Sequence, residues 1–144
     1  NYSGQRPPTS QWTVTGAGAA LLSRNGAGPK ITGCTIGTIV DLGIKDANNM
    51  GAAMAPAAFE TIKTHFSDFK TSPEDYDLIV TGDLGQIGKE IFTLCGYLLN
   101  KIQNKEIKNL LFCGTGALLS PVSTMQGLPI PAVCHAVVIE GEHA

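Results

Sequence analysis

The chain has 144 residues, ordinary length for a single domain, with 43% hydrophobic and 15% charged residues, so it carries enough apolar material for a packed core and is not a disordered chain. A formal net charge of -2 leaves no basic footprint for nucleic acid, and no run reaches the roughly 18 apolar residues of a membrane span.

The opening segment, Asn1 to Pro8, has no apolar centre and is not a signal peptide. It lacks an initiator Met, so a fragment of a longer chain is expected. The Arg6-Pro7-Pro8-Thr9 run is extended, because proline fixes φ and disfavours helix at the residue before it. Trp12 to Leu22 reads as a strand with small residues (Gly16 to Ala20) in its middle, and Asn25 to Pro29 as a turn. Ile31 to Val40, rich in β-branched residues, is the next strand.

Pro56 suits the first turn of a helix that runs to about Phe69, with Phe59, Ile62 and Phe66 as its apolar face. Ser72-Pro73-Glu74-Asp75 opens a short turn, and Leu78 to Val80 is a buried strand. Leu94, Leu98, Leu99 and Ile102 form a second helical stripe. The lysines that follow (Lys101, Lys105, Lys108) are interrupted by polar and acidic residues and read as a solvated helix end. Leu110 to Cys113 is a strand, Gly114 to Ala117 a glycine loop, and Ile130 to Ile139 the last strand, paired with the previous one as a tight hairpin. Helices alternating with apolar strands predict a layered α/β domain.

Two places invite a ligand. Thr81-Gly82-Asp83-Leu84-Gly85 follows a strand, at the end where open α/β sheets bind ligands. Asp83 there either caps the next helix or faces a ligand. Gly114-Thr115-Gly116-Ala117-Leu118-Leu119-Ser120 has the outline of a dinucleotide loop but fails its context. Pro121 intervenes, no helix clearly follows, and no acidic residue closes the unit. It is read instead as a turn that brings backbone N–H groups to a pocket.

The remaining reactive residues carry bland expectations. Cys134 and His135 are adjacent in a strand, point to opposite faces and cannot pair. His135 is read as a hydrogen-bonded core histidine and His65 as a surface residue, while His143 near the terminus carries no signal. Cys34, Cys95, Cys113 and Cys134 form no CxxC pair and no zinc pattern. Reduced, mostly buried thiols are expected, with no metal and no cofactor.

Longer strings carry a resemblance. Gln5 to Thr9, Gln11 to Ala19, Asp41 to Asp46, Asn49 to Ala58, Asp75 to Gly85, Thr115 to Pro121 and Ile130 to Glu140 resemble the stage V sporulation protein AD family. That family is similar to thiolases and ketoacyl synthases, whose two halves form αβαβα layers. The resemblance implies that residues 1–144 supply the end of the first half and most of the second. It also implies a gap near Lys89 to Ile91, where a glycine- and cysteine-rich loop is absent.

By the same resemblance, the chain is a component of the spore machinery that takes up dipicolinic acid, and it binds that dicarboxylate. The binding residues expected from their place at the ends of adjacent strands are Asp83, Gly114, Thr115, Gly116 and Ala117. The implied partners are dipicolinic acid, other spore dipicolinate-channel proteins, and either a second copy or the missing N-terminal half. The implied location is the spore or forespore, soluble and peripheral to the inner membrane. Asp83 stands where condensing enzymes of the synthase type place a histidine. A carboxylate with a pKa of about 4 cannot replace a neutral imidazole at a developing oxyanion, so no enzymatic activity is expected. The alternatives are a thiolase- or ketoacyl-synthase-type condensing enzyme and a degenerate interaction fragment.

Overall fold

The structure is a computed structural model that describes residues 19–47, 49–81 and 97–141. Four strands form one mixed sheet: β1 (Lys30–Thr35), β2 (Leu78–Thr81), β3 (Asn109–Ala117) and β4 (Ala132–Glu140). Their spatial order is β1-β4-β3-β2. β4 is antiparallel to both β1 and β3, whereas β2 and β3 are parallel. Helices α1 (Met50–Phe69) and α2 (Leu99–Gln103) serve opposite faces, and the short α3 (Pro121–Met125) lies between β3 and β4. The layered α/β expectation holds at this level.

The face under α1 is built from small residues. Ala57 and Ala58 pack with Ala132, Cys134 and Ala136 of β4, with Met54, Leu111, Cys113 and Val138 filling the remainder. Small side chains on both sides let the helix lie close to the sheet. The expected apolar face is corrected at Phe59, which is 63% exposed, whereas Ile62 and Phe66 are partly buried and pack against this core. On the other face Leu98, Ile102 and Ile107 pack on Leu110 and Ile139, as the stripe predicted for its described members. Leu94 lies outside the described residues.

α1 starts six residues before Pro56. Asn49 caps it, its side chain accepting from the Ala52 N–H at 3.3 Å. A proline inside a helix costs about 3 kcal/mol through a lost N–H and a clash. Helix-favouring alanines and the burial of Ala53 and Met54 offset that cost, so the helix continues N-terminal to the proline.

Most of the strand expected over Trp12 to Leu22 lies outside the described residues, and residues 19–22 are not in a strand. The strand expected to reach Val40 stops at Thr35, leaving an isolated bridge between Val40 and Ala132. The cause is a change of partners. The Cys134 carbonyl accepts from the Thr61 hydroxyl at 3.0 Å, and the Gly37 N–H turns to His135 Nδ1 at 3.2 Å. Gly37 passes so close that a Cβ on it would collide with the Cys134 carbonyl and Thr61 Oγ1. Gly37→Ala should therefore destabilise the fold by about 1–3 kcal/mol, the usual range for overpacking. The measurement is the denaturant midpoint at unchanged slope; wild-type stability would show that the backbone does not approach β4 this closely.

The glycine loop is also corrected. Gly114 to Ala117 continue β3, in register with His135 to Ala132 of β4. The pairing is antiparallel as expected, but residues 118–131 and α3 separate the strands, so this is not a tight hairpin. Permissive glycine did not bend the chain here, because β4 supplies a full ladder for it.

Candidate functional site

The carboxyl ends of β2 and β3 lie side by side, with Thr81 in register with Cys113. Asp83 follows Thr81 but lies outside the described residues, as do Gly82, Gly85 and Cys95. Beyond Cys113, β3 carries Gly114, Thr115, Gly116 and Ala117. Side chains alternate along a strand, so Cys113 faces α1 and both glycines face the opposite side. A Cβ on Gly114 or Gly116 would meet nothing within 4 Å. The two glycines thus leave a shelf of bare backbone beyond the area covered by α2.

His135 borders this shelf, in register with Gly114. It is exposed, which corrects the expectation of a core histidine. Its Nδ1 accepts from the Gly37 N–H, so the proton of the neutral ring sits on Nε2 and is available as a donor. Sequence patterning missed this residue because β4 is apolar on both faces. The one available signal was parity: His135 alternates with Cys134 and Ala136, which face α1.

The shelf is not a nest of N–H groups. Strand geometry directs alternate N–H groups of Gly114 to Ala117 towards β4, where the ladder uses them. The remaining N–H groups point to the side of β2, whose continuation past Thr81 is outside the described residues. The anion-binding turn expected at this position is therefore replaced by a flat platform edged by an imidazole donor.

The thiols are placed differently. Cys113 and Cys134 are fully buried beneath α1, on the face opposite the shelf. A hydrogen bond with Cys134, together with burial, pushes the Cys113 thiol well above the ordinary range, which disfavours the thiolate. Cys34 is exposed on β1, contrary to the expectation of a buried thiol. Among the described residues no group of three or more His, Cys, Asp or Glu side chains could hold a metal ion. No described helix is long and apolar enough to cross a membrane.

A second polar cluster lies at the other end of α1. His65 is completely buried, not at the surface as expected. Its Nδ1 is hydrogen-bonded to Thr35 Oγ1 at 2.8 Å and its Nε2 to the Tyr76 hydroxyl at 2.7 Å. Phe69 stacks on the ring with centroids 4.6 Å apart. Burial lowers the His65 pKa below its ordinary value, against a smaller opposing effect of Asp68.

These features define an α/β protein with a mixed sheet, a helix on each face, and an open shelf at the carboxyl end of β3. The profile of stage V sporulation protein AD (SpoVAD) matches residues 1–94 and 91–140, and the chain belongs to that family. It is 35% identical over 180 aligned positions to stage V sporulation protein AD of Bacillus subtilis (strain 168), covering 96% of the chain and 53% of that relative. The chain thus spans about half the relative's length. The 180 aligned positions outnumber the 144 residues here, so the relative carries residues inside the matched stretch that this chain lacks. The two profile matches meet at residues 91–94, next to the gap expected near Lys89 to Ile91.

Proposed function

We propose that the chain is a non-catalytic component of the spore's dipicolinic acid uptake machinery, that it binds dipicolinate, and that it is built on the C-terminal half of a thiolase-like fold. Its place is the spore or forespore, peripheral to the inner membrane. Membership of a sporulation family across nearly the whole chain is the observation that carries this reading. The shelf supports it chemically. A planar aromatic dicarboxylate needs a flat surface and a donor at its edge, and Gly114, Gly116 and the His135 Nε2–H supply those. The absence of condensation chemistry is supported by two thiols packed under α1 and by Asp83 at the position of the synthase histidine.

Calorimetric titration with dipicolinate tests the reading. Gly116→Val should weaken binding without harming the fold, because its side chain enters open space on the shelf. His135→Ala should weaken binding about tenfold, as expected for losing one hydrogen bond to a charged group. Asp83→Asn should preserve or strengthen binding, since it removes a like charge. Weaker binding with Asn at 83 and no effect at 116 would show the roles to be wrong. Acyl-CoA turnover that is lost in Cys95→Ala or Cys113→Ala would replace this reading with the condensing-enzyme one.

A further inference from the structure

His135 has two jobs to divide between its ring nitrogens. Its Nδ1 accepts from the Gly37 N–H at 3.2 Å, which leaves the Nε2 proton for the glycine shelf that the ring borders. Gly37 lies in the stretch between the end of β1 at Thr35 and the next fastening at Val40. There the Val40 N–H donates to Ala132 O at 2.8 Å and the Ala132 N–H to Val40 O at 2.9 Å. Between those two points the bond to His135 holds the Gly37 backbone in against β4. The approach is close enough that a Cβ on Gly37 would collide with the Cys134 carbonyl.

This contact requires a neutral ring. A neutral imidazole accepts at one nitrogen, whereas an imidazolium carries an N–H on both and accepts at neither. Protonated, Nδ1–H would face the Gly37 N–H, donor against donor, and the contact must open. We propose that His135 is a proton-operated latch: the neutral ring holds residues 36–39 against β4, and the imidazolium releases them and offers its charge to an anion on the shelf. The anion part rests on the reading of the shelf as a dicarboxylate site. Histidine is the side chain whose charge changes between pH 5 and 8, so the latch works in a physiological range.

The surroundings leave the ring free to titrate on these two interactions. On its face of the sheet, register places Phe112, Gly114 and Gly116 of β3, Val133 and Val137 of β4, and Cys34 of β1, which pairs with Val137. Of these only Cys34 is titratable. On the tied stretch's continuation, Asp41 accepts from the Gly43 N–H at 2.8 Å. α2 covers the other end of this face, and its Lys101 is paired with Glu106. Asp83, beyond β2, lies outside the described residues. A hydrogen bond from a charged donor to a carboxylate is roughly twice as strong as a neutral one. A bound dicarboxylate therefore favours the imidazolium, and the Gly37 tie favours the neutral ring. By linkage, binding takes up a proton where the free ring is neutral, and affinity rises as pH falls through that range. The stretch that is released carries Ile36 and Ile39, both exposed, so one ring connects the shelf to the apolar surface beside it.

The test is NMR of the full chain between pH 8 and 5.5. At pH 8 the ring nitrogens of His135 should report the Nε2–H tautomer, with the Gly37 amide protected from exchange. As the ring charges, Gly37 protection should fall at least about tenfold, relative to the intrinsic exchange rate, with the midpoint of the ring's own titration. In His135→Asn the amide oxygen can accept but not titrate, so that midpoint should vanish even though His65 is intact. Calorimetry of dipicolinate at pH 7 in PIPES and in Tris, whose ionisation heats differ, should show uptake of a fraction of a proton per ligand, lost in His135→Asn. Gly37 protection that ignores the ring's titration would overturn the latch. Dipicolinate binding without proton uptake would overturn its link to the shelf. Dipicolinate that fails to bind, while Gly37 is still released as the ring charges, would remove the functional reading and support the latch.

Discussion

His65→Ala should lower unfolding free energy by about 3–5 kcal/mol, the range for emptying a buried aromatic site. The ring is fully buried, stacks on Phe69, and joins α1 to β1 through Thr35 and to the strand that follows through Tyr76. Its removal leaves a cavity, strands the Thr35 hydroxyl and leaves the Tyr76 hydroxyl with Thr71 alone, and a stranded hydroxyl costs about 1–3 kcal/mol unless water reaches it. Net stability of a domain is only about 5–15 kcal/mol, so this single change threatens the fold. Denaturant titration measures the loss. A cost below about 1 kcal/mol, typical of a surface change, would mean that His65 is not the tie described.

The same residue predicts a pH dependence. Its folded-state pKa is lowered from 6.5 by burial. Between the lowered value and 6.5 the unfolded chain binds a proton that the folded chain does not, so stability rises with pH across that window. His65's contribution is therefore complete above about pH 6.5 and is lost as pH falls towards the folded pKa. His65→Gln, which keeps a hydrogen-bonding side chain but cannot titrate, should flatten that part of the profile. An unchanged slope between pH 5 and 7 in the variant would assign the dependence to other groups.

The second large effect concerns self-association. At the carboxyl end of β3 two segments are joined by backbone hydrogen bonds. The Val40 N–H donates to Ala132 O at 2.8 Å, and the Ile130 N–H to Ile44 O at 2.8 Å. They present Ile36 (82% exposed), Ile39 (76%), Leu42 (65%), Val122 (65%) and Met125 (87%) to solvent. Burying one such side chain contributes about 1.5–3 kcal/mol, so covering this group matches the whole stability margin of a domain. Single exposed apolar residues are ordinary, but a clustered set is not. The isolated chain should self-associate, aggregate or require the half of its relatives that it does not span. Sedimentation should show concentration-dependent mass, and Met125→Glu with Ile39→Lys should shift it towards monomer. A soluble wild-type monomer that unfolds cooperatively above about 60 °C, the upper mesophile range, would mark a self-sufficient domain.

Several elements are legible in the residues alone. The apolar runs at Leu78 to Val80 and Ile130 to Ile139 lie almost entirely in strands, although Leu78 is exposed and Ile79 and Val80 only half-buried where a buried strand was expected, and Leu98 with Ile102 form a buried helix face. Ser72-Pro73-Glu74-Asp75 is the turn its residues announce, with Asp75 accepting from Ser72. These succeed because each depends on local chemistry: periodicity over a few residues, or a side chain bonding to its own backbone. The family is legible as well, since long strings of matching residues need no geometry.

The composition and the alternation of apolar runs determined by themselves that this is an α/β chain with a core, and the strings determined its family. Tertiary structure decided what those residues face. Pro56 could stay inside α1 because Met54, in the turn before it, found cover on the sheet, a partner that helix propensity does not see. Gly114 and Gly116 became strand rather than turn because β4 was there to pair with them. His65 and His135 exchanged their expected roles, one buried between Thr35 and Tyr76 and the other exposed beside Gly37. Histidine is compatible with either setting, and its place is set by hydrogen-bond partners 11 to 98 residues away along the chain. Such partners meet only when the sheet assembles, because burial and satisfied polar groups are properties of packing rather than of any local run of residues.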